Sequence, residues 1–214
     1  MNWVRIGIVA SLLLCVWIAW PKGDRSTPPR PLLIKSALKQ ADDPIVILGD
    51  SIVRQANLPR TICKRTVVNA GIDGSTATSG LDGMLKKAIG DKKAAMIVVS
   101  LGTNDAEEVV SADTFRGNYT KLLSALASMT PRLGVTTVTP LEAGPDVGHR
   151  TQRTIDSYNS ELASVARTTD ARLISIPPMP AGSTRDGVHL SQNGYAIWTS
   201  AIQSGIEAAL CPGT

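Results

Sequence analysis

The stretch Ile45-Val46-Ile47-Leu48-Gly49-Asp50-Ser51-Ile52 decides the fold. Its first four residues are aliphatic with no polar alternation, the pattern of a strand covered on both faces, and such strands belong to parallel sheets flanked by helices. Four further short apolar runs follow, at Thr66–Asn69, Ala95–Leu101, Gly134–Thr139 and Arg172–Ile176, several of them likewise rich in Val and Ile. Helical patterns lie between and after them. Phe115, Tyr119, Leu122, Leu123, Leu126 and Met129 recur at helical spacing within Thr114–Met129, as do Ile155, Tyr158, Leu162 and Val165 within Thr154–Arg167. Tyr195, Trp198, Ile202 and Ile206 do the same within Gln192–Leu210, with Ser191 placed as N-cap. Strand–helix alternation predicts an α/β domain built on one doubly wound sheet of five parallel strands. No internal repeat is visible.

Such a sheet gathers its active groups at the carboxyl ends of the strands. After the first run comes Gly49-Asp50-Ser51-Ile52, and after the second Gly71-Ile72-Asp73-Gly74-Ser75. Gly102-Thr103-Asn104-Asp105 follows the third, Pro140-Leu141-Glu142-Ala143-Gly144 the fourth, and Asp186-Gly187-Val188-His189 stands beyond the fifth. A serine hydroxyl needs a base to become a nucleophile. The chain has two histidines, and His189 lies three residues after Asp186, a spacing that lets one carboxylate hold one imidazole on a turn. Attack on an acyl carbon also creates an oxyanion that needs preorganised donors. The N–H groups of Ser51 and Gly71 and the side-chain amide of Asn104 are the candidates.

Gly49-Asp50-Ser51-Ile52, Gly71, Gly102-Thr103-Asn104-Asp105 and Asp186-Gly187-Val188-His189, in this order, resemble the four sequence blocks of the GDSL, or SGNH, hydrolase family, over about Ile45 to His189. One detail departs from the usual motif: Ile52 stands where Leu normally follows the serine. The resemblance implies a three-layer α/β/α sandwich and ester or thioester substrates, with neither metal nor cofactor. It implies Ser51 as nucleophile, His189 as base, Asp186 as its orienter, and Ser51, Gly71 and Asn104 as the oxyanion hole. There is no G-x-S-x-G, so the other large serine-esterase fold is not supported. Asp50 and Asp105 are expected to support the loops around Ser51 and Asn104 by accepting backbone hydrogen bonds. Gly74 reads as a turn glycine, His149 as a solvated loop residue, and Gly71–Thr76 lacks the pattern of a phosphate loop.

Ile6 to Trp20 is uncharged, with Trp3, Trp17 and Trp20 near its ends, and Pro-rich residues follow. Residues 1–20 therefore read as a signal anchor or signal peptide forming an apolar helix, with membrane contact through residues 4–20. Residues 21–35 read as a basic Pro-rich linker and 36–214 as the hydrolase domain. The net charge of +4 belongs to the first 40 residues, which carry +5, whereas the rest carries −1. That body lacks the electrostatic footprint of a nucleic-acid binder. Cys63 precedes the second strand and Cys211 ends the last helix, so both fall at the pole opposite the site. A Cys63–Cys211 disulfide is expected, worth about 4 kcal/mol for so long a loop, and it fits an oxidising compartment.

The expectation is an exported serine esterase, anchored facing the periplasm or cell exterior, or secreted if the segment is cleaved. Its substrate would be a small acyl ester, an acylated carrier such as a glycan, or a lysophospholipid. An acyltransferase with the same triad and a non-catalytic binding module on the same fold are the alternatives. Oligomeric state is not legible.

Overall fold

The computed structural model describes residues 29–212. The expected apolar segment at 1–20 and most of the expected linker lie outside them. Six strands form one sheet: β1 (Ile45–Gly49), β2 (Thr61–Ile62), β3 (Arg65–Gly71), β4 (Met96–Ser100), β5 (Leu133–Thr136) and β6 (Arg172–Ile174). Their order is β2-β3-β1-β4-β5-β6. The last five in that order are parallel, as expected, and β2 is an addition that makes the sheet mixed: it pairs antiparallel with β3. Only two residues long, β2 leaves no periodicity to read. Its hairpin turns through Cys63 and Lys64, both at positive φ, without the Asn-Gly or Asp-Gly that normally betrays such a turn.

Among the described residues, seven α-helices accompany the sheet. They are α1 (Arg30–Gln40), α2 (Ser51–Gln55), α3 (Leu81–Ile89), α4 (Thr103–Glu107), α5 (Ala112–Leu126), α6 (Gln152–Thr168) and α7 (Gln192–Leu210). Residues 30–35, expected within the linker, are helical as the first part of α1. A Pro in the first turn of a helix, here Pro31, forfeits no intrahelical bond, so the Pro-rich composition did not forbid it. Ile34 and Leu38 anchor α1 in the core. Among the described residues no helix is long and apolar enough to cross a membrane.

The sheet separates two cores, as strand alternation demands. Val46 and Leu48 of β1 and Ile97 and Val99 of β4 pack with α1, α3, α5 and α6. Ile45, Ile47, Met96 and Val98 face the other way, onto Ile52 and Val53 of α2 and Trp198, Ile202 and Ile206 of α7. Helices thus cover both faces, and β1 and β4 are buried along their whole length. The chain leaves β1 for β3 on one side and returns to β4 on the other. The loops after β1 and β4 therefore diverge and open a crevice at the switch point. At the far pole, Cys63 and Cys211 are joined in a disulfide with Cα atoms 6.0 Å apart.

Candidate active site

Strand β1 ends at Gly49, and Asp50 caps α2 by accepting from the Ile52 N–H at 2.9 Å. That cap turns the chain sharply and puts Ser51 at the first helical position, over the crevice. Tyr195 fixes α2 from the other side by donating to the Ile52 carbonyl at 2.8 Å. Ser51 Oγ lies 3.0 Å from His189 Nε2, and His189 Nδ1 lies 2.7 Å from Asp186 Oδ2. The three side chains, drawn from opposite ends of the sequence, form one unbroken hydrogen-bonded chain.

Asp186 is held as a carboxylate. Burial alone would raise its pKa, but backbone N–H donors of His189 and Val188 at Oδ1, the imidazole at Oδ2 and attraction to an imidazolium together outweigh burial. The net effect lowers it to about 2. An ionised carboxylate can only accept, so His189 Nδ1 carries the proton. The neutral ring then presents its Nε2 lone pair to the Ser51 hydroxyl. The loop carrying Asp186 and His189 is braced by Glu142, which accepts from the Ser183 and Thr184 N–H groups and from Thr184 Oγ1 at 2.6 Å.

The neighbouring acids are structural and buried. Burial raises Asp50 to about 7, opposed by the Ile52 N–H and reinforced by the nearby charge of Asp105. Burial likewise raises Asp105 to about 6, opposed by the Ala77 N–H it accepts. Asp105 so ties α4 to the turn after β3.

A cavity of about 410 Å³ opens beside Ser51 and His189, lined also by Asn104, Gly74, Asp73 and Arg150. Asn104 sits in the first turn of α4 and donates from Nδ2 to the Ser75 carbonyl at 3.0 Å. Gly71, an expected oxyanion donor, is not among the residues lining this cavity. It ends β3 beneath α2, where any Cβ would strike the Arg54 backbone, and its N–H donates to Asn69 Oδ1 at 3.1 Å. Its requirement for glycine is close approach. Three residues on, Gly74 has φ of +70° and lines the cavity, so the turn glycine faces the site and the conspicuous one does not. Asn69 was overlooked altogether, though it caps α2 by donating to the Val53 carbonyl at 2.7 Å.

Arg150 and Glu107 were also missed. Arg150 reaches Asn104 Oδ1 at 3.4 Å and the Thr103 carbonyl at 2.9 Å, and pairs with Glu107 at 3.0 Å. The sequence had shown only a polar loop. His149 is exposed as expected, with its backbone N–H donated to Glu107. Asp146 brings a second carboxylate near Asp186 and His189, the three ligand atoms falling within 4.8 Å of one another. Exposed acids often gather so without an ion, and Asp186 already occupies His189 Nδ1.

Residues 47–197 match the GDSL-like lipase/acylhydrolase family. No curated protein matches in sequence. Among solved structures, the chain is similar to a GDSL-like lipase from Bacteroides thetaiotaomicron (TM-score 0.68, 21% identity, 85% of this chain and 97% of that one). It is similar also to a lipase/acylhydrolase from Enterococcus faecalis (0.63, 23%, 79% and 98%). A catalytic mutant of an acetylxylan esterase from Geobacillus stearothermophilus aligns at 0.61, with 18% identity over 78% and 94%. At these identities the likeness is one of fold.

Proposed function

The chain belongs to the GDSL-like lipase/acylhydrolase family and is a hydrolase of ester bonds, and on that premise we propose that it is an exported serine esterase removing short acyl groups through an acyl-enzyme on Ser51. The observation that carries this reading is the unbroken chain Ser51–His189–Asp186. Ser51 Oγ attacks the acyl carbon as its proton passes to His189 Nε2. The imidazolium so formed is stabilised by Asp186 and returns the proton to the departing alkoxide. Water, deprotonated by the same Nε2, then attacks the acyl-enzyme, and Ser51 leaves with the proton as the acid is released. The tetrahedral oxyanion is met by the Ser51 N–H, the Gly74 N–H and Asn104 Nδ2, each such donor being worth about 3 kcal/mol.

Short acyl groups fit because the cavity lining is polar: of its nine residues only Val188 has a hydrocarbon side chain. A long acyl chain would find no apolar wall there. Export accords with the Cys63–Cys211 bond, which persists in oxidising compartments, and with an N-terminal apolar segment acting as anchor or signal. The test is turnover of p-nitrophenyl acetate, butyrate, octanoate and palmitate by the full chain, with Ser51→Ala as control. Fastest turnover on acetate, lost in the variant, supports the reading. Preference for palmitate contradicts the substrate class, and turnover retained by Ser51→Ala contradicts the nucleophile.

A further inference from the structure

Helix α7 has an unusual surface. Surface helices normally set charged residues against the solvent, yet α7 carries one charged residue in 19, Glu207. Gln192, Tyr195, Thr199, Ser200, Gln203 and Ser204 recur at steps of three and four, so they share one side of the helix. Gln55 and Asn57, at and just after the end of α2, face them across a groove of about 570 Å³. No charged side chain lines it. Two charged side chains bond to its lining: Arg185 donates to Gln55 Oε1 at 2.6 Å, and Glu207 accepts from Gln203 Nε2 at 2.8 Å.

Gln55 lines this groove and also the Ser51 cavity, so the two join at one residue. The lining offers amides and hydroxyls, groups that both donate and accept. It has no cation for a phosphate or carboxylate, and its hydrocarbon is that of Ala196, the Tyr195 ring and the stems of the polar side chains, with no aliphatic wall for an acyl chain. A volume of this size lies well inside the range of ligand clefts, about 300–1,000 Å³. Sugar hydroxyls, which also donate and accept, are the complement of such a wall.

We propose that the α7 groove binds the carrier of the ester, an uncharged glycan that runs from Ser51 past Gln55 along Thr199 and Gln203. This inference rests on the esterase reading of Ser51 and adds the chemistry of what bears the acyl group. Binding remote from the reacting bond can be spent on the transition state, so a longer carrier should raise kcat/KM.

The experiment compares O-acetylated xylo- and chito-oligosaccharides of increasing length, with p-nitrophenyl acetate alongside, for the wild type, Ser200→Trp and Ser204→Trp. Both tryptophans replace exposed serines and fill the groove. The expected result is a gain of about tenfold in kcat/KM from monomer to tetramer in one series, lost in both variants. No gain with length in either series overturns the groove while leaving the esterase standing. A gain that both tryptophans leave intact overturns it too, since the carrier then binds elsewhere. If p-nitrophenyl acetate turnover is absent or survives Ser51→Ala, the esterase reading fails. Calorimetric titration of Ser51→Ala with unacetylated hexamers then decides the groove: binding abolished by Ser200→Trp supports it, and no binding overturns it.

Discussion

Arg150 donates to Asn104 Oδ1 at 3.4 Å while Asn104 Nδ2 donates to the Ser75 carbonyl at 3.0 Å. The amide is thereby held from both ends. With Oδ1 turned to Arg150, one Nδ2 hydrogen is fixed on Ser75 and the other is directed by the planar amide geometry. Removing an oxyanion donor outright costs about 10²–10³ in kcat. Loosening one should cost less, so Arg150→Gln is expected to lower kcat about tenfold with KM within about twofold. Glu107→Gln, which weakens the far side of Arg150 and leaves its contact with Asn104, should change kcat far less. Steady-state kinetics of the pair decides this, and equal losses in both variants would assign Arg150 to loop stability alone.

The Asp186 carboxylate is expected to be essential through the tautomer it selects. In Asp186→Asn, Oδ1 can still accept the Val188 and His189 N–H groups, so the turn should keep its shape. An amide facing Nδ1 in place of Oδ2 no longer compels a proton there, and Nε2 loses its fixed place as acceptor. A fall of about 10³–10⁴ in kcat with little change in melting temperature is expected. Because Asp186 titrates at about 2, its ionisation should leave no limb in a pH–rate profile between pH 4 and 8, which stopped assays across that range would show.

Asp50 gives the fold a pH dependence of known sign. Its folded pKa, about 7, lies above the ordinary value of 3.8. The native state therefore binds more protons than the unfolded one between those values, and stability falls as pH rises through that window. Asp50→Asn keeps an oxygen for the Ile52 N–H and removes the ionisation. Denaturant unfolding at pH 4, 5.5, 7 and 8 should show the variant gaining on the wild type up to about pH 7 and holding level beyond. Parallel curves would contradict the burial argument. Asp105, raised to about 6, contributes a slope of the same sign, and because its charge also acts on Asp50 the difference between the two curves reports the coupled pair.

The disulfide closes a separation of 148 residues. Its loss, in Cys63→Ser or under reduction, should remove about 4 kcal/mol, or about 10 °C in melting temperature for a domain of this size. Calorimetry with and without reductant measures it, and a shift of under about 2 °C would mean the bond staples little.

What the sequence displayed and what it hid follow from physics at particular residues. The buried strands were legible because β1 and β4 are covered on both faces, which forces unbroken runs such as Ile45–Leu48. Helix α7 was legible to the residue because Ser191 caps it and Trp198, Ile202 and Ile206 stripe it. Ser51, Asn104, Asp186 and His189 were legible because each stands directly after a strand or on a tight turn; the structure brings Ser51, Asn104 and His189 to one cavity, with Asp186 hydrogen-bonded to His189. Helix α1 was hidden by the Pro-rich composition around Pro31, and β2 by its length. The choice between Gly71 and Gly74 depended on which N–H the Asn69 side chain takes, and no local pattern encodes that. Arg150 stands 46 residues from Asn104, a contact that only the packed loops create.

The most direct test is to trap the acyl-enzyme. Full-length protein mixed with p-nitrophenyl acetate, acid-quenched within a turnover and digested, should yield the peptide containing Ser51 with one acetyl group on that serine. His189→Ala and Ser51→Ala should yield none. Acetyl on Ser51 in the wild type alone is the predicted result. Turnover without acetylated Ser51, or acetylation that survives in Ser51→Ala, would contradict the account.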